Sequence, residues 1–263
     1  ASSRPVAAER EATHRALSLA EIVDTPVVIV HVSNRQAMEE IQRARARGAK
    51  VAGETCPQYL MLTADDLDAT ELEGAKFVCS PPPRDKESQI ACWEGLQNAA
   101  FDLFSSDHCP FRFDDPEGKL TEKGKRNFRW IPNGIPGVAT RLPILFSEGV
   151  MKGRIDINTF VAVTSTNHAK LYGLYPRKGT IAIGADADIA LWDPDKRVTV
   201  TNDLLKHGAD YTPYEGLEIR GWPVQVLLGG RTIVKDGELT GPESRGRYLP
   251  RNRSSLTSSR GPT

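Results

Sequence analysis

Val27-Val28-Ile29-Val30-His31-Val32 is the stretch that decides the fold class. It follows the turn Asp24-Thr25-Pro26 and is β-branched at every position except His31. A strand with one wet face alternates apolar and polar residues, and this run does not. It reads as a parallel strand covered on both faces. Upstream, Ala12, Ala16, Leu19 and Val23 recur at steps of three and four, which predicts a helix over Ala7–Val23 with those residues buried and His14 solvated. Downstream, Ser33 is the expected cap of a helix carrying Met38, Ile41 and Ala44, with Gly48 at its C-terminal end. A short strand, Val51–Glu54, comes next. After the Pro-rich loop Ser80–Arg84, a helix carrying Ile90, Trp93 and Leu96 precedes a third buried strand over Phe101–Ser105. Helices alternating with strands through short links imply an α/β fold with parallel strands and helical crossovers. Helical spacing returns over Arg141–Met151 and Ile157–Tyr172, where Gly173 marks a C-terminus.

From Lys178 the pattern changes to short strands punctuated by Gly and Asp. They are expected at Gly179–Ile183, Asp188–Trp192, Arg197–Thr201, Val224–Leu228 and Thr232–Lys235, with Gly229-Gly230 as a two-residue hairpin turn. The chain therefore divides into an α/β part (1–176), a small β unit (177–241) and a Ser-, Arg- and Gly-rich tail (242–263) expected to be disordered at its very end.

The 263 residues include 34 Lys+Arg and 34 Asp+Glu, so formal charge is zero. That balance argues against a nucleic-acid or anionic-membrane partner, either of which a basic excess would attract. No apolar run approaches the roughly 20 residues of a membrane span, and a cytoplasmic location is expected. Four cysteines without a C-x-x-C pair require neither disulfides nor a zinc cluster. Arg43, Arg45 and Arg47 read as a solvated helix face.

His31 closes one strand and Asp107 follows another, and active sites of parallel α/β proteins assemble at such C-terminal ends. Imidazole nitrogen and carboxylate oxygen suit a zinc-like ion. A histidine bonded to backbone and an aspartate in a turn account for the same residues without a metal. Ser80 and Asn133 lie in Pro/Gly-bounded loops that present polar groups to a ligand or serve as turns. Glu54 ends its strand and receives no catalytic role.

Taken together, VVIVHVSN (27–34), GETCPQYL (53–60), SPPPR (80–84), SSDHCPF (105–111), IPNGIPG (131–137), LFSEGV (145–150) and KGTIAIGADADIALWDPD (178–195) resemble the D-hydantoinase/dihydropyrimidinase family of amidohydrolases. The resemblance runs in order to about Arg251. It implies a TIM-like (β/α)8 barrel followed by a small β-sandwich. The implied activity is hydrolytic opening of cyclic amides, hydantoin or dihydropyrimidine rings, by hydroxide formed on two bridged divalent metals, zinc being the expected ion. In that scheme His31 is a metal ligand after the sixth barrel strand. Asp107, after the eighth, is both metal ligand and proton shuttle. Ser80 and Asn133 hold the amide face of the ring. The DHCPF continuation is more similar to hydantoinases than to dihydroorotases.

The family's His-x-His pair, the carboxylated lysine that bridges its metals, a further metal-binding histidine and a substrate-contacting tyrosine have no counterparts here. A whole barrel takes about 250 residues, so the segment to about Leu174 is expected to supply only strands six to eight. The chain is thus expected to be a C-terminal portion that is inactive alone and leaves strand edges open. The family resemblance also implies a homotetramer, with Gly241–Arg251 resembling a tail that packs on neighbouring subunits. Alternatives are an allantoinase-like activity and a non-catalytic dihydropyrimidinase-related scaffold.

Overall fold

The computed structural model describes residues 3–240 and 246–257. It begins with helix α1 (Val6–Ile22), strand β1 (Val27–Ile29), helix α2 (Arg35–Ala46) and strand β2 (Val51–Thr55). Short helices α3 (Pro57–Met61) and α4 (Ala64–Leu67) lead to α5 (Lys86–Gln97) and strand β3 (Leu103–Phe104). The three strands form one parallel sheet in the order β1-β2-β3, with Val27 opposite Val51 and Glu54 opposite Leu103. Parallel pairing follows from the helical crossovers α2 and α5, each of which buries an apolar face on the sheet.

Several expectations change in detail. β2 and β3 are buried throughout. β1 is half-buried along its length and Val30 is 44% exposed, because no strand among the described residues pairs with its outer edge. The predicted stripe of α1 is not its buried face. Thr13 and Leu17 are buried, whereas Leu19 and Val23 are 58% and 67% exposed, since α2 packs against the Leu17 side and none of the described residues covers the other. Asn34, not Ser33, caps α2 by accepting the Ala37 N–H (3.0 Å). Ile90 faces solvent, while Trp93 and Leu96 are buried.

Arg45 is not solvated as its neighbours on the helix are. Its side chain is 15% exposed and donates to the carbonyls of Val51 and Ala99, each at 3.1 Å, and to Asp102. Asp102 also accepts the Gly53 N–H, so one carboxylate joins α2, β2 and the approach to β3.

Gly95 lies where α5 crosses the sheet. A Cβ there would sit 2.5 Å from Phe101 Cε2 and 2.6 Å from Met38 Sδ. Gly95→Ala is therefore expected to destabilise the fold by about 1–3 kcal/mol through overpacking, read as a lower urea midpoint at unchanged slope.

Helix α6 (Glu122–Arg126) is followed by α7 (Arg141–Ile144), which runs on into a wider helical stretch, Leu145–Met151. Helices α8 (Ile157–Val161) and α9 (Asn167–Leu171) flank a second wide stretch, Ala162–Thr166. Gly173 ends this segment at φ +69°.

The β unit is one antiparallel sheet, β4 (Ile189–Thr199), β5 (Glu218–Leu228), β6 (Arg231–Lys235) and β7 (Glu238–Leu239), in that order. Asp188–Trp192 and Arg197–Thr201, expected as two strands, belong largely to β4, whose pairing with β5 shifts register between Leu191 and Trp192 and again between Asp193 and Arg197. Gly179–Ile183 is not a strand: Ile181 and Ile183 point into solvent, and Gly179 is pressed against Ala169 at φ +80°. Gly229 and Gly230 make the β5–β6 hairpin with both φ positive, as a twist-matched two-residue turn requires. The described residues supply one layer, not the two facing layers of a sandwich.

That sheet does not stand apart from the α/β part. Trp192 stacks on Phe146 at 4.8 Å between ring centres, and Phe160 meets both edge-on. A second cluster joins Val200, Tyr214 and Ile219 to Ile135 and Ile144. Asn252 donates its N–H to the Gly173 carbonyl, and Leu256 packs on Leu103 and Leu171, so this stretch of the tail covers its own chain. The first part of the tail (241–245) and its end (258–263) lie outside the described residues. No helix among the described residues is long and apolar enough to cross a membrane.

Candidate functional site

The carboxyl ends of β1, β2 and β3 point the same way, because the strands are parallel. At the end of β1, His31 takes a left-handed backbone (φ +46°) and donates its N–H to Glu54 Oε1 at 3.4 Å. Val32 N–H then returns to the Glu54 carbonyl, and Thr55 Oγ1 donates to the Val32 carbonyl. After β3, Asp107 is also left-handed (φ +45°). A non-glycine residue in this region is uncommon, and two of them follow the outer strands of this one sheet, on either side of β2. Glu54, set aside in the sequence reading, is buried on the strand between them.

Burial raises the Asp107 carboxyl above the ordinary carboxylate range, and the charge of His31 opposes that rise. The two side chains therefore share one electrostatic environment. His108 has a different job: its Nδ1 accepts the N–H groups of Gly137 (3.0 Å) and Val138 (3.2 Å), which fixes the loop after Asp107 onto the 131–137 loop. Gly134 is obligatory there, since at φ +139° a Cβ would lie 2.5 Å from the Cys109 carbonyl.

Ser80 and Asn133 are both exposed. Ser80 lines a cavity of about 570 Å³ together with His31, Glu9 and Arg84. Asn133 lines an adjoining cavity of about 440 Å³ with Cys79, Phe128 and Arg129, and Pro82 and Arg4 form a wall common to both. Asp107 lines neither. Ser80 is thus brought together with His31, while Asn133 stands across a shared wall.

Three charged residues that hold these loops escaped the sequence reading. Arg84 donates to Glu9 Oε2 (2.9 Å), to Ser33 Oγ (3.1 Å) and to the Arg4 carbonyl. Glu9 also accepts the Ser33 N–H at 2.9 Å, so α1, the β1–α2 loop and the 80–84 loop meet at one buried ion pair. Lys119 is the third. It is fully buried, and its Nζ donates to the carbonyls of Val78 (2.8 Å) and Pro132 (2.7 Å). Lone charged residues in irregular segments carry no periodic signal, so spacing does not reveal them.

Burial pulls the Lys119 ammonium down to about 8. This lies below the unfolded value of about 10.4, so between those pH values the unfolded chain binds more protons than the folded one. The penalty for burying this charge is full below pH 8 and is relieved as pH rises. Wild-type protein should accordingly gain in urea midpoint from this group between pH 7 and pH 9, and Lys119→Met should remove that gain.

A metal at this site would find an imidazole nitrogen and a carboxylate oxygen, both suitable donors for zinc-like ions. Among the described residues, no three His, Cys, Asp or Glu side chains gather as a metal site. The donor types fit such an ion, and their number is half of a four-coordinate shell.

Residues 10–233 match the amidohydrolase family, and the chain belongs to it. Within that family its similarity is to D-hydantoinases and dihydropyrimidinases. It is 44% identical to the D-hydantoinase of Rhizobium radiobacter over 251 residues, 95% of this chain and 54% of the relative. With the D-hydantoinase of Geobacillus stearothermophilus it shares 45% over 249 residues, 95% of this chain and 52% of the relative. The crystal structure of dihydropyrimidinase from Brevibacillus agri superposes with a TM-score of 0.92 at 44% identity, over 97% of this chain and 54% of that one. The chain spans about half the length of the relatives it matches.

Proposed function

We propose that these residues are the C-terminal part of a metal-dependent cyclic amidohydrolase that opens hydantoin or dihydropyrimidine rings. The observation that carries this reading is that His31 and Asp107, both with a left-handed backbone, follow the carboxyl ends of two strands of one parallel sheet. In this reading residues 1–176 contribute barrel strands six to eight, and 177–241 contribute one layer of a small β-sandwich. The remaining donors, a bridging carboxylated lysine among them, come from polypeptide outside residues 1–263. The assembled enzyme is a cytoplasmic homotetramer.

His31 and Asp107 would hold part of a centre of two divalent ions, zinc being the ion that best suits both donors. When bound, such ions supply positive charge that polarises a carbonyl and lowers the pKa of water. The chain's own groups do the rest. Asp107, half-buried beyond the third strand, would accept a proton at a carboxylate oxygen and return it to the departing ring nitrogen. Ser80 and Asn133 orient the amide face of the ring from the two loops.

The test is to incubate the full-length polypeptide, loaded with divalent metal, with hydantoin and with a dihydropyrimidine, and to follow the ring-opened ureido acid. Turnover is expected from the full-length protein and none from residues 1–263 alone. Absence of turnover on both rings by the metal-loaded protein would favour a scaffold and overturn the proposal.

A further inference from the structure

Lys119 is a buried cation to which the site described above gives no chemical role. Its side chain is fully buried, yet no carboxylate among the described residues pairs with it: its hydrogen bonds go to two backbone carbonyls, and the Phe111 ring lies 5.7 Å from Nζ. The ionisable groups acting on it are the thiols of Cys79 and Cys109. An unpaired buried ammonium costs stability, so its retention calls for a role other than packing.

The two carbonyls identify that role. Val78 stands two residues before Ser80, and Pro132 stands one before Asn133. The Val78 carbonyl also accepts the Gly134 N–H at 3.0 Å, so the two loops are joined both directly and through the ammonium. Lys119 is itself placed from outside the two loops. Its N–H donates to the Arg112 carbonyl at 2.8 Å in a turn where a Cβ on Gly118 would lie 2.1 Å from that same oxygen. Asp210, next to the β unit, accepts the N–H groups of Phe113 (2.6 Å) and Asp114 (3.0 Å) and holds that turn.

We propose that Lys119 is a positioning residue: it fixes the separation of the 78–80 and 132–134 loops, and with it the spacing of the Ser80 and Asn133 contacts on the amide face of a cyclic substrate. The proposal rests on the reading of Ser80 and Asn133 given above. It assigns Lys119 no contact with substrate.

The test uses the full-length, metal-loaded enzyme with Lys119→Met, which keeps an unbranched apolar stem one atom shorter and removes the buried charge, and with Lys119→Arg, a bulkier cation. For Lys119→Met, KM should rise by about tenfold or more while kcat stays within about threefold, because the chemistry is untouched and the ring is held less well. Lys119→Arg should widen the same gap and raise KM by about threefold. Hydrogen exchange of the 131–137 segment should quicken in Lys119→Met, whether or not the protein turns over a ring. KM unchanged in both variants, with wild type active, overturns the positioning role and leaves the proposed function standing. If wild type proves inactive on every cyclic amide, the proposed function fails, and exchange decides the clamp: faster exchange supports it and unchanged exchange overturns it. Should Lys119→Met not fold, Lys119→Arg decides by the same KM criterion.

Discussion

Asp107→Asn in the full-length enzyme is expected to lower kcat/KM for ring opening by about 10²–10⁴-fold. The amide keeps the shape of the carboxylate but cannot accept a proton, and it is a poorer donor to a hard or borderline cation. Asp107 occupies a left-handed position that little else about the loop requires, since His108 and Gly134 already fix the surrounding backbone. Steady-state kinetics should be run beside a metal assay. Turnover lost with metal retained assigns the proton role, and turnover lost together with metal assigns the ligand role. Activity within about threefold of wild type would show that Asp107 does neither.

Arg84→Met carries the largest expected effect on stability. The Arg84 and Glu9 side chains are 6% and 12% exposed, so removing the guanidinium leaves a nearly dry carboxylate with only Ser33 as partner. Losing one partner of a buried pair costs about 3–5 kcal/mol. The loss should appear as a fall in urea midpoint. Glu9→Gln in the same background should restore part of it, because the orphaned charge is then gone, and the double-mutant cycle measures the coupling. A loss below about 1 kcal/mol would mean that water reaches the pair. The pair also lines the cavity shared by His31 and Ser80, so the variant should weaken substrate binding as well.

Much of this fold is legible in the sequence because its elements carry periodic signals. Val27–Val32 and Val51–Glu54 declare parallel strands, though only the second is buried throughout, and Gly229-Gly230 declares a hairpin through its backbone freedom. The failures have physical causes. The stripe on α1 exists, but none of the described residues buries Leu19 or Val23. Gly179–Ile183 has the composition of a strand and pairs with no strand among the described residues. At the site, His31 and Asp107 are visible as polar residues ending apolar runs, a signal that also fits inert turns. Arg84 and Lys119 are invisible to pattern, since their importance lies in which carbonyls and carboxylates long-range folding brings to them.

The most direct test of the central claim is a count of bound divalent metal in the full-length protein and in its His31→Ala variant, with ring-opening activity measured on the same samples. The account predicts about two ions per chain and turnover in the wild type, with His31→Ala losing about one ion and at least about 10²-fold in kcat/KM. A wild-type protein that binds no metal, or a His31→Ala variant that keeps both its ions and its full activity, would contradict it.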